Sequence, residues 1–128
     1  MGPIHNAAKN GNLNRVKKYW DLGIPLNPRT VWGWTPLHFA AASGRLNVVQ
    51  ELLKRGAQLN PRTRNGQTPL HVAALEKHPQ IIHALIKAGA NPKIKNKSGH
   101  RAYNIANNSS TRNAFKTPRP VTKRTKKT

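Results

Sequence analysis

The chain has 128 residues, with 23 Lys and Arg against three acidic residues, a formal net charge of +20 and no cysteine. These numbers predict one small domain and exclude disulfides and thiolate chemistry. No apolar run approaches the ~18 to 20 residues that a membrane span needs, and the N-terminus lacks the apolar stretch of a signal peptide. We therefore expect an intracellular protein, cytoplasmic or nuclear, that does not enter a membrane.

A 33-residue internal repeat organises the chain from residue 4 onward. Apolar, alanine, histidine and glycine columns recur at this offset and predict four units of one design. The columns are Ile4, Leu37, Leu70 and Tyr103; Ala7, Ala40, Ala73 and Ala106; His5, His38 and His71, continued by Asn104; Gly23, Gly56 and Gly89; and Gly33, Gly66 and Gly99.

Two units open with a clear helix start signal. Thr35-Pro36 and Thr68-Pro69 place an N-cap hydroxyl before a proline at the first helical position, where no amide hydrogen is needed. A short Ala-rich helix is predicted after each of them. A second helix, ending at Gly56 or Gly89, is predicted in each unit from apolar residues at helical spacing. These residues are Leu46, Val49, Leu52 and Leu53, then Ile81, Ile82, Leu85 and Ile86.

The pattern Gly-x-Thr-Pro-Leu-His-x-Ala-Ala followed by Leu-Leu-Lys-x-Gly-Ala, on a 33-residue period, resembles the ankyrin repeat. The resemblance covers residues 3 to 115 and implies an all-α solenoid of about four helix-pair repeats with β-hairpin-like loops. We expect a capping repeat at 1–28, repeats at 29–61 and 62–94, a truncated capping repeat at 95–115 and a disordered basic tail at 116–128. The last helix is expected to end near Phe115, because Pro118 and Pro120 stop it.

The sequence departs from this family where Asp or Glu is usual. Neutral residues stand there instead, namely Thr30, Thr63 and Asn65 at the hairpins, Asn47 and Gln50 in the outer helix, and Gln58 before a loop. The apolar columns are intact, so the expected fold is unaffected, but a partner that needs acidic hairpins is put in doubt. One explanation is an engineered or compositionally shifted scaffold with no evolved ligand.

Catalysis and metal binding are not expected. The carboxylates occur singly, at Asp21, Glu51 and Glu76, and the chain has no phosphate-binding loop or nucleophile motif. For the histidine column the resemblance implies a structural role, since repeats stack ~8 to 10 Å apart and a zinc ligand lies ~2 Å from its ion. His78 and His83 are expected at the surface. We predict no enzyme, no metal and no cofactor.

Recognition of a protein partner with an acidic surface, through the hairpin tips and first helices, is the function we expect. Nothing in the helical pattern requires two indoles at Trp32 and Trp34, and Trp is favoured at binding hot spots. Trp34 has an alternative role as filler across the base of the hairpin. The candidate residues are Trp32, Trp34, Val31, Phe39, Ser43, Arg64, Gln67, Leu75, Lys97 and His100.

Basic residues lie beside the indoles, and we expect them to steer an acidic partner. Arg29, Arg62 and Lys95 share one register position, and Lys93 lies close by. An alternative function is electrostatic binding of nucleic acid by this stripe and the tail. The tail cations Lys123, Arg124, Lys126 and Lys127 are interpreted in three ways: a nuclear-import patch, a nucleic-acid arm or solvated charge. We expect a monomer.

Overall fold

A computed structural model describes residues 2–116, which form eight helices and no strand. The helices are α1 (Pro3–Asn10), α2 (Leu13–Asp21), α3 (Pro36–Ala42), α4 (Leu46–Lys54), α5 (Pro69–Leu75), α6 (Pro79–Ala88), α7 (Ala102–Ile105) and α8 (Ser109–Asn113). The tail cations named above lie outside the described residues.

The helices stack as two parallel rows. Helices α1, α3, α5 and α7 pack in sequence along one row, and α2, α4, α6 and α8 pack along the other. Each first helix also contacts the second helix of its own pair in α1–α2, α3–α4 and α5–α6. The described residues therefore form the all-α solenoid that the repeat predicts.

The predicted helix starts are confirmed at α3 and α5. The Thr35 hydroxyl accepts from the backbone N–H of His38, and the Thr35 backbone N–H donates to Nδ1 of the same histidine at 3.1 Å. Thr68 and His71 repeat this arrangement. A histidine at the third helical position thus completes the cap that Glu or Gln often supplies.

The core follows the apolar columns of the repeat. Ala40, Leu52, Ile82 and Leu85 have no exposed surface, and burial of each large aliphatic side chain stabilises the fold by ~1.5 to 3 kcal/mol. Small alanines allow the short first helices to approach one another, whereas the aliphatic residues fill the space beside the second helices.

Neutral oxygens perform the hairpin role that the family usually gives to a carboxylate. Thr30, Thr63 and Asn96 occupy one register position, and each side-chain oxygen accepts the backbone N–H groups two and four residues later, at 2.9 to 3.3 Å. This bonding needs an acceptor but no charge. The loss of acidic residues therefore leaves the hairpins intact.

The histidine column joins neighbouring loops, which confirms its structural role. His38 Nε2 donates to the carbonyl oxygen of Gln67 at 2.9 Å, and His71 Nε2 donates to that of His100 at 2.8 Å. His5 Nε2 lies 2.8 Å from the Pro28 carbonyl oxygen. The imidazoles bridge one unit to the next.

The expected surface position of His78 is wrong. His78 is half-buried, and its Nε2 donates to the carbonyl oxygen of Ala42 at 3.1 Å. Arg45, 33 residues earlier, donates in the same way to the carbonyl oxygen of Lys9 at 3.1 Å. His83 is also half-buried. The sequence analysis overlooked this second column of bridging side chains, although the 33-residue offset between Arg45 and His78 signals it.

Lys77 adopts a left-handed backbone conformation that the other units give to glycine. Its φ is 61°, and the equivalent residues Gly11 and Gly44 have φ of 73° and 72°. A side chain in this region costs ~1 to 2 kcal/mol relative to the right-handed region. We expect Lys77→Gly to raise the free energy of unfolding by about 1 kcal/mol, since the larger chain entropy of glycine offsets part of the gain.

Urea denaturation of the full chain measures this change. Gly44→Ala is the matched control, because it places a side chain on a residue with a φ of 72°. Its Cβ would also lie 2.8 Å from the His78 ring. It should destabilise the protein. A Lys77→Gly protein that is less stable than the wild type would contradict the strain argument.

Candidate functional site

The hairpin tips form one continuous row, which we call the tip row (residues 30–34, 63–67 and 96–100). Backbone hydrogen bonds close each tip, as between Thr30 N–H and the Trp34 carbonyl oxygen at 2.9 Å. Successive tips are bonded to each other, since Arg64 N–H donates to the Trp32 carbonyl oxygen at 2.9 Å and Lys97 N–H donates to that of Asn65 at 3.0 Å. The tips are therefore held at fixed spacing.

An apolar depression of about 470 Å³ lies at the first tip, and we call it the tip pocket. It is lined by Thr30, Val31, Trp32, Trp34 and Phe39. Val31 and Trp32 are 75% and 62% exposed, which is unusual for large apolar side chains gathered at one place. The structure thus brings four of the predicted binding residues together around one cavity.

The two indoles have different surroundings. Trp34 is half-buried, with its ring 5.1 Å from that of Phe39 and 5.5 Å from that of His38. Trp34 therefore fills the base of the hairpin and also lines the tip pocket. Trp32 projects into solvent, and the Arg64 guanidinium lies 5.4 Å from its ring centroid in a cation–π contact. Such a contact contributes ~0.5 to 1 kcal/mol at an exposed site.

The cations near the tip row are of two kinds. Arg29 donates to the Arg62 carbonyl oxygen at 2.8 Å, and Arg62 donates to the Lys95 carbonyl oxygen at 2.9 Å, so both guanidinium groups tie one unit to the next. Within residues 2–116, the side-chain nitrogens of Arg64 and Lys97 have no hydrogen-bond or ion-pair acceptor. These two charges are available to a ligand.

Carboxylates neutralise little of this charge. In the described part of the chain, the ion pair between Arg55 and Glu51 on α4 is the only one. The hydrogen bond from Arg55 is the main cause that lowers the pKa of Glu51. The Arg55 guanidinium also lies 5.4 Å from the Trp20 ring centroid. This pair belongs to the outer helix row, so it leaves the positive potential of the tip row unscreened.

The remaining candidate residues lie apart from the tip pocket. Ser43 caps the end of α3, and Leu75, at the end of α5, is 53% exposed. The Gln67 side chain accepts from Asn96 Nδ2 at 2.7 Å, which braces the second tip against the third. His100 is exposed at the third tip, as are Lys93 and Lys95 before it.

Sequence analysis did not select Thr30 and Tyr103 as candidate residues, although the structure places both at exposed or pocket-lining positions. Thr30 both closes the first hairpin and lines the tip pocket. Tyr103 is 44% exposed, although its column mates Leu37 and Leu70 are 1% and 2% exposed, because no further unit covers it within the described residues. The Phe115 ring packs against it at 5.5 Å. Tyr103 is the last member of a column whose earlier members are buried by the next unit. That position is the sequence signal that would have identified it as exposed.

Two general findings limit the chemistry of the described residues. Between residues 2 and 116, no three His, Cys, Asp or Glu side chains gather where they could hold a metal ion. None of the helices in this range has both the length and the apolar character needed to cross a membrane.

Comparison with known proteins identifies the repeat. A family model described as ankyrin repeats (3 copies) matches residues 4–96, which is more than half of the chain. No curated protein matches the chain. Ankyrin repeats are generally protein–protein interaction modules and typically non-enzymatic scaffolds. Because the match spans the helix pairs that stack in the structure, the chain belongs to the ankyrin-repeat family.

Proposed function

We propose that this ankyrin stack is a non-enzymatic module that binds a protein partner with an acidic surface through its hairpin tips and first helices. The observation that carries the proposal is the tip pocket, where exposed Val31 and Trp32 stand beside half-buried Trp34 and Phe39. Burial of these side chains against a partner would supply the affinity.

The charge of the tip row supports an acidic partner. Arg64 and Lys97 follow the tip pocket at successive tips, and their side chains have no acceptor within residues 2–116. Complementary charges raise association rates and exclude partners of the wrong sign. A basic partner would meet like charge at the second and third tips.

An unbiased peptide selection tests the proposal. A displayed library of random peptides of about 16 residues is panned against the full chain, and the affinities of the enriched peptides are measured by fluorescence anisotropy. We expect the enriched peptides to be acidic. Trp32→Ala should weaken their binding by about 30-fold, equivalent to ~2 kcal/mol, because it removes the most exposed indole of the tip pocket.

Leu22→Ala is the matched control for this substitution. Leu22 is 67% exposed, close to the 62% of Trp32, but it follows α2 and does not line the tip pocket. It should leave affinity unchanged, and both variants should unfold within about 5 °C of the wild-type temperature, since Trp32→Ala removes only the exposed contact with Arg64. Peptides that bind both variants as tightly as the wild type would remove Trp32 as an anchor.

A further inference from the structure

We propose that the tip row binds an extended acidic peptide in which one apolar residue and two acidic residues are separated by steps of three. The apolar residue occupies the tip pocket, and the acidic residues pair with Arg64 and Lys97 in either chain direction. This inference rests on the proposed function and adds to it the spacing of the ligand.

The register of the repeat fixes the order in which apolar and charged side chains follow one another along the tip row. Val31, Arg64 and Lys97 are 33 residues apart and occupy the same position of successive tips. Along this position the row therefore presents an apolar site, a cation and a second cation. A ligand that complements it presents an apolar side chain, an anion and a second anion in the same order.

The stacking of the repeat supplies the spacing. Each tip directly precedes a first helix, α3, α5 or α7, and these helices pack at ~8 to 10 Å from one another. An extended peptide advances ~3.3 Å per residue, so three residues cover ~10 Å. A side chain at every third position of an extended ligand therefore meets the equivalent position of the next tip.

The bonds between the tips keep this spacing rigid. Besides the backbone bonds that join the tips, the backbones of neighbouring tips pack closely at two glycines. A Cβ at Gly33 would lie only 3.2 Å from Thr63 Cα, and one at Gly66 only 2.9 Å from Lys97 N. The arginine bridges from Arg29 and Arg62 tie the same units together. A rigid row selects one ligand spacing because adjusting to another would break these contacts.

The surroundings of Trp32 favour a peptide over a nucleic acid. The Arg64 guanidinium lies over the Trp32 ring, 5.4 Å from its centroid, so a base can stack only on the opposite face. The tip pocket is an open apolar depression at one tip, and the other two tips have polar residues at the Trp32 position, namely Asn65 and Ser98. A run of stacked bases would find one indole along the row, whereas a single apolar side chain finds a complete pocket.

Three displayed libraries of equal composition test the spacing on the full chain. Each fixes one Leu, Phe or Trp and two Asp, at steps of two, three or four residues, with uncharged residues randomised elsewhere. We expect binders from the three-step library to be enriched about tenfold over the others, because two ion pairs form together only in that register. Arg64→Gln and Lys97→Gln should each weaken these binders by about fivefold.

Lys54→Gln is the control for loss of charge, since Lys54 is exposed on the outer helix α4. It should leave affinity unchanged. Equal enrichment of all three libraries, with binding still lost in Trp32→Ala, would overturn the spacing and leave the proposed function standing. Absence of any Trp32-dependent binder would overturn both. A single-stranded oligonucleotide that binds more tightly than the best peptide at about 0.15 M salt, and loses affinity in Trp32→Ala, would replace the peptide as ligand.

Discussion

Acidification from pH 7.5 to 4.5 is expected to lower the free energy of unfolding by about 2.5 kcal/mol through His38 alone. This imidazole has no exposed surface. Burial is the main cause that lowers its pKa to about 4, with smaller contributions from the charges of Arg29 and His71. Burial also lowers the pKa of His71, which adds to the loss in the same direction.

The hydrogen bonds of His38 explain why the neutral form is required. Its Nε2 donates to a carbonyl oxygen, that of Gln67, while its Nδ1 accepts from the backbone N–H of Thr35. A proton added to Nδ1 would leave the Thr35 N–H without its acceptor, and the Thr35 hydroxyl oxygen, 2.9 Å from Nδ1, would have to accept the new proton. The folded state thus holds one tautomer of the neutral ring.

The direction of the pH effect follows from the two pKa values. Above the ordinary pKa of 6.5 both states are neutral and His38 contributes no pH dependence. Between 6.5 and about 4 the unfolded chain binds a proton that the folded chain does not, so stability falls as the pH falls. Only three carboxylates are present, and the pKa of Glu51 lies below its ordinary value. Glu51 therefore acts in the same direction as His38, because protonation of its carboxylate weakens the bond to Arg55.

Urea denaturation at several pH values measures the effect, and His38→Asn is the control. Asn104 occupies the same column and accepts the backbone N–H of Arg101 at 2.9 Å, so Asn can preserve the cap. The variant should be less stable at pH 7.5, because the bridge to Gln67 is lost, and should lose much less stability on acidification. His71→Asn provides a second test if His38→Asn does not fold. Equal wild-type stability at pH 7.5 and 4.5 would contradict the argument.

The helix starts and the buried core could be predicted from the sequence because local signals along the repeat specify them. Thr35-Pro36 predicts the start of α3 because a hydroxyl acceptor and a residue without N–H suit adjacent positions. The columns of Leu37 and Ala40 predict burial because a repeat can bury its apolar faces only against its neighbours. Each inference needs the offset of 33 and no knowledge of distant contacts.

The candidate site was less predictable, because its properties depend on contacts between units. Arg29 and Arg64 are both cations near the tips, yet Arg29 bonds to the next unit and Arg64 lies over Trp32. Sequence register places them in different columns, Arg29 with Arg62 and Arg64 with Lys97, but it gives position and not the direction of a flexible side chain. Trp34 illustrates the same limit. The sequence offers hairpin filling and ligand binding as alternatives, whereas in the structure one ring both packs on Phe39 and lines the tip pocket.

Gly66→Ala is expected to lower the free energy of unfolding by about 3 kcal/mol, through backbone strain and contact with the third tip. The φ of Gly66 is 79°, which an L side chain rarely adopts. Its Cβ would lie 2.9 Å from Lys97 N and 3.1 Å from Asn96 Cα. Both atoms belong to backbone that is bonded to the second tip, so neither can move aside without loss of that bonding.

Gly99→Ala separates the two causes. Gly99 has a φ of 83°, close to that of Gly66, but a Cβ there would meet no atom within 4 Å. We expect it to destabilise by only about 1 kcal/mol, the effect of the backbone conformation alone. Equal losses for the two variants by urea denaturation would show that tip contact contributes nothing. Gly66→Ala should also weaken binding of the three-step peptides, since it moves the Lys97 tip away from Arg64, whereas Gly99→Ala should not.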